Sequence, residues 1–71
     1  MKVPRDVSGP ETTKALKRLG FVVTRQVGSH IRMARGSVQV TVPNHKTICP
    51  KTLQTVLRQA GISLEDFLNN L

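Results

Sequence analysis

The stretch FVVTRQVGSHIRMARGSVQVTVP, residues 21–43, decides the fold of this chain of 71 residues. Three runs in it alternate apolar and polar side chains, as strands do: 21–26, 30–35 and 38–42. Turns of hairpin length separate the runs at Gly28-Ser29 and at Arg35-Gly36. Pro43 ends the third run, because proline cannot donate to a strand ladder. The stretch therefore predicts an antiparallel sheet in which three strands follow one another in chain order.

A capping box predicts a helix before this stretch. Ser8 is a favourable N-cap, and Glu11 stands three residues later, where its carboxylate can reach back to the cap. Pro10 suits the first turn, and Gly20 is the expected left-handed end of the helix. The preceding residues, Met1 to Val7, are polar and are interpreted as a leading strap.

A second amphipathic helix is predicted after the strands. Pro50 opens it and Gly61 ends it. Its apolar face has helical spacing and comprises Leu53, Val56, Leu57 and Ala60. Ser63 begins a short last helix. Because only one face of the sheet supplies an apolar surface, both amphipathic helices are expected on that face.

This element order predicts an α+β sandwich of two layers. The three-stranded antiparallel sheet carries the helices on one face, in the α-β-β-β-α layout of double-stranded-RNA-binding domains. A chain of 71 residues has room for one domain, residues 1–71, and no space for an elaborate cofactor cradle, so no cofactor is expected.

The chain is strongly basic, with 11 Lys and Arg against four Asp and Glu and a net charge of +7. Such a charge predicts a polyanionic partner, which can be a nucleic acid, an acidic membrane surface or an acidic protein. No apolar run approaches the roughly 20 residues of a membrane span, and the N-terminus lacks the apolar centre of a signal peptide. A cytoplasmic location is therefore expected.

Cys49 is the single cysteine, so it cannot form an intramolecular disulfide. It is expected to be a small buried or half-buried side chain. No group of His, Cys, Asp and Glu has the spacing of a metal site, so the sequence does not favour a metal-dependent nuclease.

The phase of the second strand places a histidine on the open sheet face. Ile31 and Met33 fit the core, so the alternate residues point the other way: His30, Arg32 and Ala34. The flanking strands are expected to add polar side chains to this face: Thr24, Gln26, Gln39 and Thr41. The open face is therefore predicted to be polar and positive, with one imidazole near its edge.

This pattern suits RNA cleavage without a metal, which needs a base for the 2′-hydroxyl, cations for the phosphate and an acid for the leaving oxygen. His30 is the candidate base, because imidazole changes charge near neutral pH. Arg32 can hold a phosphate, and Gly28 lets a backbone approach closely. The same residues also suit an ordinary solvated surface.

The remaining candidates are less specific. Ser29 fits a turn better than a nucleophile. His45, in the loop before the second helix, can protonate a leaving group, contact a phosphate or simply bond to nearby backbone. Lys51 stands beside the N-terminus of that helix, which also attracts anions. Further basic residues can track phosphates: Lys14, Lys17, Arg18, Lys46 and Arg58.

Several segments stand in a characteristic order: LKRLGF (16–21), RQVGSH (25–30), VTVP (40–43) with His45, and Thr52-Leu53 with LRQAGI (57–62). Together they resemble the HicA toxin family over nearly the whole chain. The Gly-Ser-His and Leu-Arg-Gln-Ala-Gly steps are the specific parts. An aromatic residue often follows the family's catalytic histidine, and here Ile31 and Met33 follow instead.

The resemblance implies a double-stranded-RNA-binding-like fold and the toxin of a type II toxin–antitoxin pair, which cleaves mRNA independently of the ribosome. It also implies that His30 is the catalytic histidine and that a HicB-type antitoxin binds the toxin and covers its active site. Two other hypotheses stay open. A non-catalytic RNA-binding module would bind RNA equally well without His30, and a purely protein-binding subunit would have no affinity for RNA.

Overall fold

The computed structural model describes residues 6–71, which form three helices and three strands. In chain order these are α1 (Gly9–Arg18), β1 (Val22–Val27), β2 (His30–Arg35), β3 (Val38–Pro43), α2 (Pro50–Ala60) and α3 (Leu64–Asn69). The element order is the predicted one, although β1 begins and ends one residue later than expected. Residues 1–5, most of the predicted strap, lie outside the described residues.

The predicted capping box begins α1. The Ser8 hydroxyl accepts a hydrogen bond from the Glu11 backbone N–H at 3.1 Å, and the Ser8 N–H donates to the Glu11 carboxylate at 3.1 Å. Leu19 caps the other end, and Gly20 follows with a φ of +99°, which residues with a Cβ rarely adopt. The Arg35 guanidinium donates to the Leu19 carbonyl at 2.9 Å and so fixes the end of α1 to the end of β2.

The sheet is antiparallel, with the strand order β1-β2-β3. In the central strand β2, His30 lies opposite Val27 of β1 and Pro43 of β3. Arg32 lies opposite Thr41. Because residues paired across antiparallel strands share a face, this register decides which side chains meet on the open face.

A bulge in β1, between Val23 and Arg25, is absent from the sequence prediction. A bulge adds one residue to one strand and so shifts the alternation of side chains beyond it. Arg25 therefore lies opposite Arg32 on the open face, and Gln26 lies opposite Ile31 on the helix side. The prediction that Gln26 faces the open side is wrong for this reason.

The core lies between the helices and one face of the sheet, which confirms the predicted two-layer α+β sandwich. The sheet contributes Ile31, Met33, Val40 and Val42, and the helices contribute Ala15, Leu16, Leu53, Val56, Leu57, Ala60 and Phe67. Both long helices lie closest to β3. As a result, β1 is left at the far edge of the sheet, with all six of its residues exposed.

The start of the described chain is part of this core. Val7 is buried, and its carbonyl accepts a hydrogen bond from the Ile48 N–H at 2.7 Å. Two residues later, the Gly9 N–H donates to the His45 carbonyl at 2.8 Å. The residues before α1 and the loop before α2 are therefore held together.

Cys49 is exposed, so the prediction of a buried or half-buried thiol is wrong. It precedes Pro50 in extended backbone, with φ −65° and ψ 148°. Successive side chains of an extended segment point to opposite sides, and Ile48 takes the side that faces the core. The Cys49 sulfur is left on the surface, 3.1 Å from the Thr52 hydroxyl oxygen.

Candidate functional site

A shallow depression on the open sheet face contains His30. It is lined by Arg25, Val27, His30, Arg32 and Thr41. The strand register produces this grouping, because Arg25 and Thr41 both lie opposite Arg32, one on each side. A neighbouring groove shares Arg25, Arg32 and Thr41 and continues the surface toward Thr24 and Gln39. His30 and Arg32, which the sequence singled out, are thus brought together.

Two guanidinium groups stand on adjacent strands at this site. Arg25 and Arg32 are directly opposite in the register, and like charges in that relation repel each other. No carboxylate lines either depression within residues 6–71. A phosphate placed between the two guanidinium groups would relieve the repulsion and accept their fork-shaped hydrogen bonds. The two guanidinium groups therefore make this face a favourable binding site for an anion such as a phosphate.

Arg25 is the site residue that the sequence reasoning missed. Strict alternation places it on the helix side, and only the bulge turns it to the open face. The extra residue of the bulge, Thr24, donates its hydroxyl to the Arg32 carbonyl at 3.3 Å. The irregularity is therefore tied to the strand that carries His30 and Arg32.

His45 is not among the residues that line the depression. Its backbone carbonyl accepts the Gly9 N–H, which places this part of the loop beside the start of α1 in the helix layer. This hydrogen bond is made by the His45 backbone, so it assigns no role to the imidazole.

Gly28 and Ser29 form the turn that delivers His30 to the start of β2. Gly28 has a φ of +58°, and a Cβ built there would meet nothing within 4 Å. The glycine is therefore required by the backbone conformation and leaves open space beside the site. The Ser29 carbonyl accepts the Asn44 N–H, at 2.6 Å, which joins this turn to the end of β3.

The basic residues are divided between the two layers. Lys51 lies in the exposed first turn of α2, outside the depression. Lys14 and Lys17 line a separate groove between α1 and β1. The Arg18 guanidinium donates to the Asn70 carbonyl at 3.1 Å and so has a structural contact. Lys14, Lys17, Arg18 and Lys51 are therefore not among the residues that line the depression around His30.

The open face offers no phenyl ring on which a base can stack. Phe21 and Phe67, the only Phe, Tyr or Trp residues of the chain, are both buried. The planar groups at the site are the imidazole of His30 and the guanidinium groups of Arg25 and Arg32, on which a base can also stack. Residues 6–71 contain no group of three His, Cys, Asp or Glu side chains placed to hold a metal ion.

The fold and this face define a class of protein, a small basic α+β domain with a double-stranded-RNA-binding-like layout and an open, cationic sheet face. None of the helices in residues 6–71 is long and apolar enough to cross a membrane. A sequence model of the HicA toxin of bacterial toxin–antitoxin systems matches residues 9–62, which is most of the chain. The chain belongs to the HicA toxin family and is the toxin of a toxin–antitoxin system. No curated protein matches it significantly.

Proposed function

We propose that this toxin is an endoribonuclease that cleaves mRNA without a metal ion, with His30 as the general base. The observation that carries the proposal is the depression that places His30 beside Arg25 and Arg32 on the open face. A base and cations are two of the three requirements for cleavage next to a 2′-hydroxyl, and the third is an acid for the leaving oxygen. The family supports the proposal, because its members are toxins of this type of system.

The chemistry assigned to these residues is an internal transfer of the phosphoryl group. His30 takes the proton of the 2′-hydroxyl, whose oxygen attacks the adjacent phosphorus while the bond to the 5′-oxygen breaks. Arg25 and Arg32 offset the negative charge that grows on the phosphate oxygens. Water supplies the proton to the leaving oxygen, since His45 lies outside the depression. The products are a cyclic 2′,3′-phosphate and a 5′-hydroxyl.

The other candidate residues are assigned to binding. Gly28 and Ser29 precede His30 in the turn, and the open space beside Gly28 leaves room for an RNA strand. Lys51 and His45 would contact phosphates only where the RNA extends beyond the sheet face. A HicB-type antitoxin is the proposed neutralising partner, which binds the toxin and covers His30.

Cleavage by the wild-type chain and by His30→Ala tests this function. Purified chains are incubated with mRNA, and growth is followed after induced expression in a bacterial host. The wild type is expected to fragment mRNA and halt growth, and His30→Ala to cleave about 100-fold to 10,000-fold more slowly, as expected for loss of a general base. Cleavage should continue when a chelator removes divalent metals.

His45→Ala is the matched control, because it removes the chain's other imidazole. It is expected to keep most of the activity. If neither the wild type nor the variants cleave RNA but all of them bind it, the protein is a non-catalytic RNA-binding module. Equal loss of activity in His30→Ala and His45→Ala would contradict a single catalytic histidine.

A further inference from the structure

We propose that the outer edge of β1, with the groove between β1 and α1, is the docking site for an extended acidic segment of the antitoxin. The segment would pair with β1 as a fourth strand and place an aliphatic side chain in the groove. The proposal rests on the antitoxin partner proposed above and is independent of RNA cleavage by His30.

The edge strand β1 is unusually open for a strand of a small domain. Within residues 6–71 no strand pairs with its outer side. Four large hydrophobic side chains are exposed in that part of the chain, and three of them belong to β1: Val22 at 60%, Val23 at 41% and Val27 at 53%. An uncovered edge with apolar side chains is a template for pairing with another chain. This concentration on one strand favours a docking role.

The groove between β1 and α1 determines which side chains the docked segment can place there. On the helix side it is lined by Pro10, Thr13, Lys14, Lys17, Val23, Gln26, Ile31 and Asn44. Val23 and Ile31 provide an apolar surface for an aliphatic side chain. Lys14 and Lys17 border that surface, so carboxylates beside the aliphatic side chain would be attracted.

A hydroxyl in the same groove lacks a partner. The Thr13 side chain is 8% exposed, and its oxygen has no hydrogen-bond partner among the described residues. The neighbouring Thr12 hydroxyl, by contrast, donates to the Ser8 carbonyl at 2.9 Å. The two adjacent threonines of α1 therefore differ, and Thr13 is the one without a partner. Buried hydroxyls are usually satisfied, and a polar group of a bound segment can satisfy this one.

Charge and shape favour an acidic protein over the alternatives. A second copy of this chain would bring together two bodies of charge +7, which repel each other. RNA is expected to bind to the open face, because Arg25 and Arg32 lie there and can hold a phosphate. The groove holds an apolar floor without an aromatic ring, which suits an aliphatic side chain better than a base.

Val23→Glu tests the docking site, since it removes apolar contact and adds a charge that an acidic segment avoids. The probe is a purified HicB-type antitoxin, the partner proposed above, titrated against wild type and variant. We expect Val23→Glu to weaken antitoxin binding at least about tenfold and to leave RNA cleavage unchanged. Gln54→Glu is the matched control, because it makes the same charge change at an exposed position of α2, and it should bind like the wild type.

Hydrogen exchange of the backbone amides gives a second readout that does not depend on a variant. The amides of β1 should exchange more slowly when the antitoxin is bound. If Val23→Glu fails to fold, the exposed pair Lys14→Glu with Lys17→Glu tests the same groove through its charge.

Three results would overturn the proposal: antitoxin binding by folded Val23→Glu, or by the Lys14→Glu and Lys17→Glu pair, that equals binding by the wild type; slowing of β1 exchange by a short RNA and not by the antitoxin; or slowing that grows with the concentration of the free toxin. The last would show that a second copy occupies the edge. Failure of the nuclease function would appear separately, as wild-type toxin that binds the antitoxin at β1 yet leaves RNA intact.

Discussion

At the scale of single residues, the Cys49 thiol combines exposure with a favourable environment for its ionised form. The Thr52 hydroxyl, 3.1 Å from the sulfur, is the main cause that lowers the pKa of Cys49 below its ordinary value of 9.0. The backbone N–H groups of Thr52 and Lys51 and the Lys51 charge act in the same direction, and partial desolvation acts against them. The thiolate is therefore more abundant in the folded chain than in the unfolded chain.

We expect Thr52→Val to raise the pH at which Cys49 becomes reactive toward iodoacetamide, because the variant removes the hydroxyl next to the sulfur. Because the pKa of the thiol is lower in the folded chain, the contribution of this group to stability is present above the unfolded pKa and is lost as the pH falls through the folded value. The rate of alkylation as a function of pH measures the midpoint. Identical midpoints for wild type and Thr52→Val would contradict the assigned cause.

The candidate site illustrates which residues a sequence can identify. His30 and Arg32 follow from the alternation of β2, which is regular and has the predicted bounds. Arg25 does not follow, because its orientation depends on a bulge that alternation of side chains cannot reveal. The exposure of Cys49 also escaped prediction, since cysteine is usually buried and only the extended loop turns it outward.

At the scale of elements, the helices were more predictable than the first strand. A capping box and Gly20 mark the ends of α1, and Pro50 and Gly61 mark the ends of α2. These signals act locally, so the sequence expresses them directly. The strand β1 is exposed along its whole length, so burial imposes little on its pattern. That is why its bounds and its side-chain orientation both differed from expectation.

Gly9→Ala tests the close contact between α1 and the loop after β3. A Cβ at Gly9 would lie 2.7 Å from the Asn44 Cα and 3.0 Å from the His45 backbone nitrogen, so the loop must move. We expect a loss of about 1–3 kcal/mol in the free energy of unfolding, as for other overpacked positions. Urea denaturation measures it.

Lys14→Ala is the control for helix propensity, because Lys14 is exposed in the same helix. Its effect should stay within about 0.5 kcal/mol. A stability of Gly9→Ala equal to that of the wild type would show that the loop can move without cost.

At the scale of the whole molecule, the net charge of +7 makes RNA binding sensitive to salt. The open face and the helix layer both carry cations. Removing one charge from each layer shows which layer binds RNA. We expect Arg32→Gln to reduce the slope of log affinity against log salt concentration by about 0.7, the value for one phosphate contact with a single strand. Arg58→Gln, an exposed change on α2, should leave the slope nearly unchanged.

Fluorescence anisotropy of a labelled RNA at several salt concentrations measures both slopes. Equal reductions would mean that RNA contacts both layers. A reduction in Arg58→Gln alone would move the binding surface away from His30 and would argue against the proposed active site.

Phe67 follows all three strands in chain order, and this order governs when the core can be sealed during synthesis. This fully buried ring belongs to α3 and is part of the hydrophobic core, to which α1 and α2 also contribute side chains. During translation the sheet residues emerge long before it, yet their apolar face cannot be fully covered until the last helix is free. A ribosome that stalls or meets a premature stop codon before residue 67 is therefore expected to release a fragment without a sealed core.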